Sequence, residues 1–180
     1  MSITVEGFAA FCAVLALLAT AGCSEKLPEE PPHTAVNAYE DAFNKKDVDA
    51  LLDVYSSRAL AEADAALLST RNMEPPYKQA LCMEVGIEPE DLEVMGSREF
   101  FVALMKAAFR KTEKISIEVL DTKVDGAKAT VEVRITAEYA HGAGTKDKEV
   151  FLPVCVENGA WKLDSTGLVP GPGPEQNPRR

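Results

Sequence analysis

The chain has 180 residues, 46% of them hydrophobic and 27% charged, a composition that suits one folded domain with a real core and excludes a disordered or collagen-like chain. With 29 acidic against 19 basic residues the formal net charge is -10, so the phosphate-neutralising attraction that drives nucleic-acid binding is missing. Nucleic acid is excluded as a partner on that ground.

The first element is an uncharged run, FAAFCAVLALLATA, from Phe8 to Ala21, followed at once by Gly22, Cys23 and the polar Ser24-Glu25-Lys26. It is too short to span about 30 Å of hydrocarbon, which takes about 20 apolar residues, and it has the length of a secretory h-region. The competing reading is a buried core helix with Cys23 as an ordinary cysteine, but a run apolar all round offers no polar face to solvent. Residues 24–32, SEKLPEEPP, are acidic and proline-rich and read as a solvated tether, at most about 30 Å long. At the other end, residues 169–180 contain PGPGPEQNPRR, in which alternating Pro and Gly support neither helix nor sheet.

Between those ends the first half is helical by period. Val36, Tyr39, Glu40 and Phe43 recur at helical spacing, then Val48, Leu51, Leu52 and Tyr55, with Asp47 placed to cap the second helix. A third helix is predicted from Ser97, as N-cap, to about Lys111, presenting Phe100, Phe101, Leu104, Met105 and Ala108. Between them, the prolines of NMEPPYK and GIEPED predict loops around a short helical piece near Gln79.

The second half alternates with period two. Ile115, Ile117 and Val119 make one row, Val131, Val133, Ile135 and Ala137 a second, and Val150, Leu152, Val154 and Val156 a third, with a short fourth strand around Trp161 to Leu168. Asp125-Gly126, His141 to Gly144 and Asn158-Gly159 fall at hairpin positions. The expected architecture is α+β: N-terminal helices packed on a curved antiparallel sheet.

Two resemblances follow. Thr20-Ala21-Gly22-Cys23 resembles the lipobox of bacterial lipoproteins, departing from it at Thr20 and in an n-region that holds Glu6 and no Lys or Arg. This implies that residues 1–22 are removed and that Cys23 carries a diacylglycerol and a further acyl chain, stable attachment needing more than one chain. The protein would then face the outside of a bacterial membrane; with no Asp at position 24, the outer membrane of a two-membrane cell is favoured, facing the periplasm. The order of elements over residues 33–168 resembles the nuclear transport factor 2-like superfamily. His33 to Ser56, HTAVNAYEDAFNKKDVDALLDVYS, is similar to the opening helices of ketosteroid isomerase and its relatives, although Lys46-Asp47 stands where Gly-Asp is usual and the early strand pair is not visible in 72–96.

The resemblance implies a cone lined by Tyr39, Phe43, Tyr55 and Phe101, and matches Tyr39 to an oxyanion-donating tyrosine. The base of that chemistry belongs to the strand this chain lacks, and a donor without a base cannot move a proton off carbon. A non-catalytic, lipid-anchored domain binding a small apolar ligand or an envelope protein is therefore expected. The alternative is an isomerase- or dehydratase-like enzyme pairing Tyr39 with a carboxylate such as Asp53 or Glu138. Dimerisation through the sheet is a further implication of the superfamily. No cofactor and no metal are expected: the only histidines are the dispersed His33 and His141, and there is no CxxC, no nucleophile motif and no phosphate-cradling loop. Once Cys12 leaves with the signal and Cys23 is acylated, Cys82 and Cys155 remain as a pair in an oxidising compartment, and a bridge between them is expected, with two buried thiols as the alternative.

Overall fold

A computed structural model describes residues 27–140 and 144–166. The leader, Cys23, residues 141–143 of the hairpin turn and the C-terminal tail lie outside the described residues. Helix α1 (Thr34–Lys45) and helix α2 (Val48–Val54) meet at Lys46-Asp47. The expected cap is present: Asp47 turns extended, and its carboxylate accepts the Ala50 N–H at 3.0 Å. Lys46 takes a left-handed conformation, φ 59°, where glycine is free of strain. Its side chain compensates by donating to the Thr112 and Glu113 carbonyls at 2.8 and 3.1 Å, with the ammonium 4.8 Å from the Phe43 ring centre.

Helix α3 (Ser57–Arg71), unassigned in the sequence reading, buries Ala59, Ala63, Leu67 and Thr70. The predicted loops around Gln79 are mostly helix: α4 (Pro75–Val85) and α5 (Pro89–Val94). Their prolines open these helices instead of breaking them, because a first-turn residue has no intrahelical use for its N–H. Helix α6 (Ser97–Lys111) has the predicted span, but Gly96 rather than Ser97 is the N-cap. The reason is Glu99, whose carboxylate reaches back to accept the Gly96 N–H at 2.8 Å and so satisfies a donor at the helix start.

Strands β1 (Thr112–Asp125), β2 (Lys128–Tyr139), β3 (Thr145–Glu157) and β4 (Ala160–Leu163) form one curled antiparallel sheet in the order β1-β2-β3-β4. Asn158 and Gly159, both at positive φ, make the tight turn between β3 and β4 that the Asn-Gly pair predicts. Register shifts between Thr112 and Lys114 and between Val119 and Asp121 add local twist to β1. The alternating rows meet as expected: Val131, Val133, Leu152, Val154 and Leu163 face the helices and are buried. On the other face Arg134 bridges Glu118 and Glu149 at 2.8 Å each, and Phe151 stands 66% exposed.

Two further side-chain contacts tie the N-terminal part of the chain to the sheet. Asn44 pairs with Ile115 like a strand residue, its amide donating to the Ile115 carbonyl and accepting the Ile115 N–H, both at 2.9 Å. Trp161 Nε1 donates to the Glu30 carbonyl at 3.0 Å, so the end of the expected tether is held against β4.

Candidate functional site

The four residues expected to line a cavity do come together. Tyr39 and Phe43 lie one turn apart on α1, Tyr55 follows α2, and Phe101 enters from α6. Ring centres run Phe43 to Tyr39 at 5.9 Å, Tyr39 to Tyr55 at 6.1 Å and Tyr55 to Phe101 at 5.3 Å, the last two edge to face, and Phe109 extends the row 5.1 Å beyond Phe43. At such spacings aromatic rings attract one another beyond their burial. All four are at most 3% exposed, and they fill the space between helices and sheet as core.

At the centre the Tyr39 and Tyr55 hydroxyls are neighbours. Burial raises the pKa of both phenols well above the ordinary value; Tyr55 donates toward Tyr39, which offsets a little of the rise at Tyr39. The contact falls outside regular hydrogen-bond geometry, leaving the Tyr55 hydroxyl buried without a full partner. Neither phenol ionises near neutrality. Asp53 and Glu138, the carboxylates considered as bases, are both exposed, Asp53 on the outside of α2 and Glu138 on β2 opposite Lys114. Neither shares the interior with Tyr39, which removes the carboxylates of the enzymatic alternative.

Cys82 and Cys155 are both free thiols in the structure. Cys82 packs in a small cluster with Leu67, Leu92 and Phe100, whereas Cys155 sits on β3 beside Asp164. Burial raises both thiols above their usual range, and at Cys155 the Asp164 carboxylate adds to the rise. Both are therefore poor nucleophiles.

A polar cluster that the sequence reading missed joins the end of the sheet to α3. Ser56 is the N-cap of α3, its hydroxyl accepting the Ala59 N–H at 3.0 Å while donating to Asp164 Oδ1 at 2.8 Å. Arg58 adds a 2.9 Å bond from Nε to Oδ1 and a 2.7 Å pair to Oδ2. Burial disfavours the Asp164 charge, but the Arg58 and Ser56 hydrogen bonds and the Arg58 charge outweigh it, and the carboxyl titrates below its usual range. Glu157 adds a second carboxylate at the same helix start, accepting the Ser57 N–H at 2.8 Å. Negative charge at a helix N-terminus is stabilising, and with every oxygen engaged the cluster acts as a clasp. Only the Ser56 cap had a signal in the sequence; Asp164 arrives from more than a hundred residues away.

The outer surface carries a groove of about 430 Å³ between α4 and α6. Among the described residues no group of His, Cys, Asp and Glu gathers that could hold a metal ion, and no helix is long and apolar enough to cross a membrane. No protein-family model matches the chain, and no curated protein matches it significantly.

Proposed function

We propose that this protein is a lipid-anchored component of a bacterial cell envelope, and that its domain is a reduced nuclear transport factor 2-like cone without catalytic function that binds a protein partner through its outer surface. One observation carries the second part. The place where such a cone would hold a small ligand is occupied by its own Phe43, Tyr39, Tyr55 and Phe101, packed ring against ring with no carboxylate among them. Binding therefore falls to the outside, where large apolar side chains are left in water: Leu68 is 60% exposed, Tyr77 68%, Met83 76% and Val94 86%. The helices-then-sheet order supports the cone, and the h-region before Cys23 supports the anchor.

The two halves of this reading have separate tests. Cys23→Ser is expected to move the protein from the membrane to the soluble fraction, and unchanged membrane association would reject the anchor. Native mass spectrometry of the full chain released from detergent is expected to show the domain without a bound small molecule. A stoichiometric apolar ligand lost on Phe101→Trp would return the reading to a ligand-binding cone.

A further inference from the structure

The groove between α4 and α6 has a charge opposite to that of the molecule. Its floor is apolar, from Val85, Val102 and Ala103, and its rim carries Arg98, Lys106 and Arg110 on one side of α6. The chain as a whole has a net charge of -10. One carboxylate lines the groove, that of Glu99, and it is already engaged with the Gly96 N–H.

The three cations differ in how they are held. Arg110 spends one N–H on the Val85 carbonyl at 2.7 Å, closing the C-terminus of α4, and Gly86 beside it leaves room for the guanidinium, since a Cβ there would lie 3.1 Å from it. Arg98 meets Asp49 at 3.5 Å, with both side chains largely exposed, a pairing of little worth that a partner can replace. Lys106 is exposed and has no partner among the described residues.

The spacing of these charges selects the occupant. From Arg98 to Lys106 is eight residues, about 12 Å along the helix, and Arg110 lies about 6 Å further. Cations strung along a trough suit a linear polyanion better than a single anionic head, on which they would converge. An anionic bilayer would meet the net negative charge of the whole protein across its contact area, and so would be repelled. Resting on the partner-binding reading above, we propose that the α4–α6 groove docks an acidic segment of a partner protein, one with two carboxylates about 12 Å apart flanking an apolar side chain. In a helical segment these are residues i and i+8 with the apolar residue between them. The carboxylates meet Arg98 and Lys106, and the apolar side chain rests on Val102.

The test uses the full chain in detergent and a fluorescent 16-residue helical peptide bearing Glu at i and i+8 with Leu at i+4, beside a control with Lys at the two Glu positions. The Glu peptide is expected to bind with an affinity that falls as salt rises, and Lys106→Glu, an exposed change that leaves the fold alone, is expected to weaken it at least about tenfold. Equal binding of the two peptides, or an unchanged affinity in Lys106→Glu, overturns the proposal. Flotation of the Cys23→Ser chain with phosphatidylglycerol vesicles is expected to be negative, and flotation that Lys106→Glu abolishes would assign the groove to the membrane instead. If the groove fails, photo-cross-linkers placed in cells at Tyr77 and Phe151 separate the two readings. Adducts there leave a partner-binding domain with a different docking face, and none at these sites or at Lys106 removes that reading as well.

Discussion

The main core and the satellite formed by α4, α5 and the ends of α3 and α6 are held by different means. The main core draws on all four strands and on α1, α2, α3 and α6, and it is closed by large rings and branched aliphatics that are almost fully buried. The satellite buries Leu67, Cys82, Leu92 and Phe100 and leans for the rest on arginines reaching helix ends. Arg71 donates to the Leu92 and Met95 carbonyls at 2.9 and 2.7 Å, and Arg110 to that of Val85. A region held by so little apolar area opens at lower free energy than the body it is attached to. It also carries exposed Leu68, Tyr77, Met83 and Val94 and borders the groove, so the proposed binding faces lie on the less stable part of the molecule.

Neighbouring phenylalanines on α6 give the largest effect and the sharpest test of that contrast. Phe101→Ala empties one end of the aromatic row in the main core and is expected to cost about 3–5 kcal/mol and to destabilise the whole domain in one transition. Phe100→Ala removes the same side chain from the satellite. Hydrogen exchange should then speed up across residues 75–94 while β2 and β3 stay protected. A single cooperative loss of protection everywhere in Phe100→Ala would show the two regions to be one unit.

How much of this was visible beforehand follows from the same division. The strands and the first, second and sixth helices announce themselves because large apolar side chains repeat at the period of the element and all face one core. Helix α3 is hard to read because its inward residues include Ala59, Ala63 and Thr70, too small or too polar to mark a face. Helix α4 is legible only as a short piece near Gln79 and α5 not at all, because the meaning of their prolines depends on position, permitted in a first turn and disruptive later. In the site, the aromatic residues were legible from helical spacing, but whether they surround a space or fill it depends on how closely the sheet curls over them, which no local pattern encodes. The Asp164 clasp and the Asn44 docking bond join residues far apart in the chain, and nothing at either end names the other.

The clasp tests whether the main body has a weak point of its own. Asp164→Asn keeps a hydrogen-bonding side chain for Ser56 but loses the charge, and is expected to cost about 1–3 kcal/mol at neutral pH, read by urea unfolding. Because the Asp164 pKa is depressed on folding, the unfolded chain binds more protons in the acid window, and stability falls there with pH. The contribution is whole above about pH 4, the ordinary carboxylate value, and is lost as pH drops through the lower folded value. The wild-type advantage over Asp164→Asn should therefore shrink on acidification. An advantage independent of pH would mean that packing, not charge, explains it.

Arg71→Met acts on the satellite alone. It removes both donors to the end of α5 while keeping the apolar stem, and is expected to cost about 1–2 kcal/mol locally, seen as faster exchange in residues 89–95 with little change in the global midpoint.

The smallest effect is expected at the residue nearest to the chemistry considered for this fold. Tyr55 carries a buried hydroxyl without a full partner, and such a group costs stability instead of adding to it. Tyr55→Phe leaves both edge-to-face contacts with Tyr39 and Phe101 in place and removes only that oxygen, so the unfolding free energy should change by less than about 1 kcal/mol and rise if it moves at all. A hydroxyl kept for binding or catalysis would behave differently. Retaining it would carry a stability cost that a function repays, and the Phe variant would be more stable but lose a bound molecule. A more stable Tyr55→Phe protein with unchanged peptide binding in the α4–α6 groove would place the function on the outside of the domain and leave its aromatic row as core. A variant destabilised by several kcal/mol would instead show that the Tyr39–Tyr55 contact is a strong hydrogen bond and that the main core, like the satellite, depends on polar contacts.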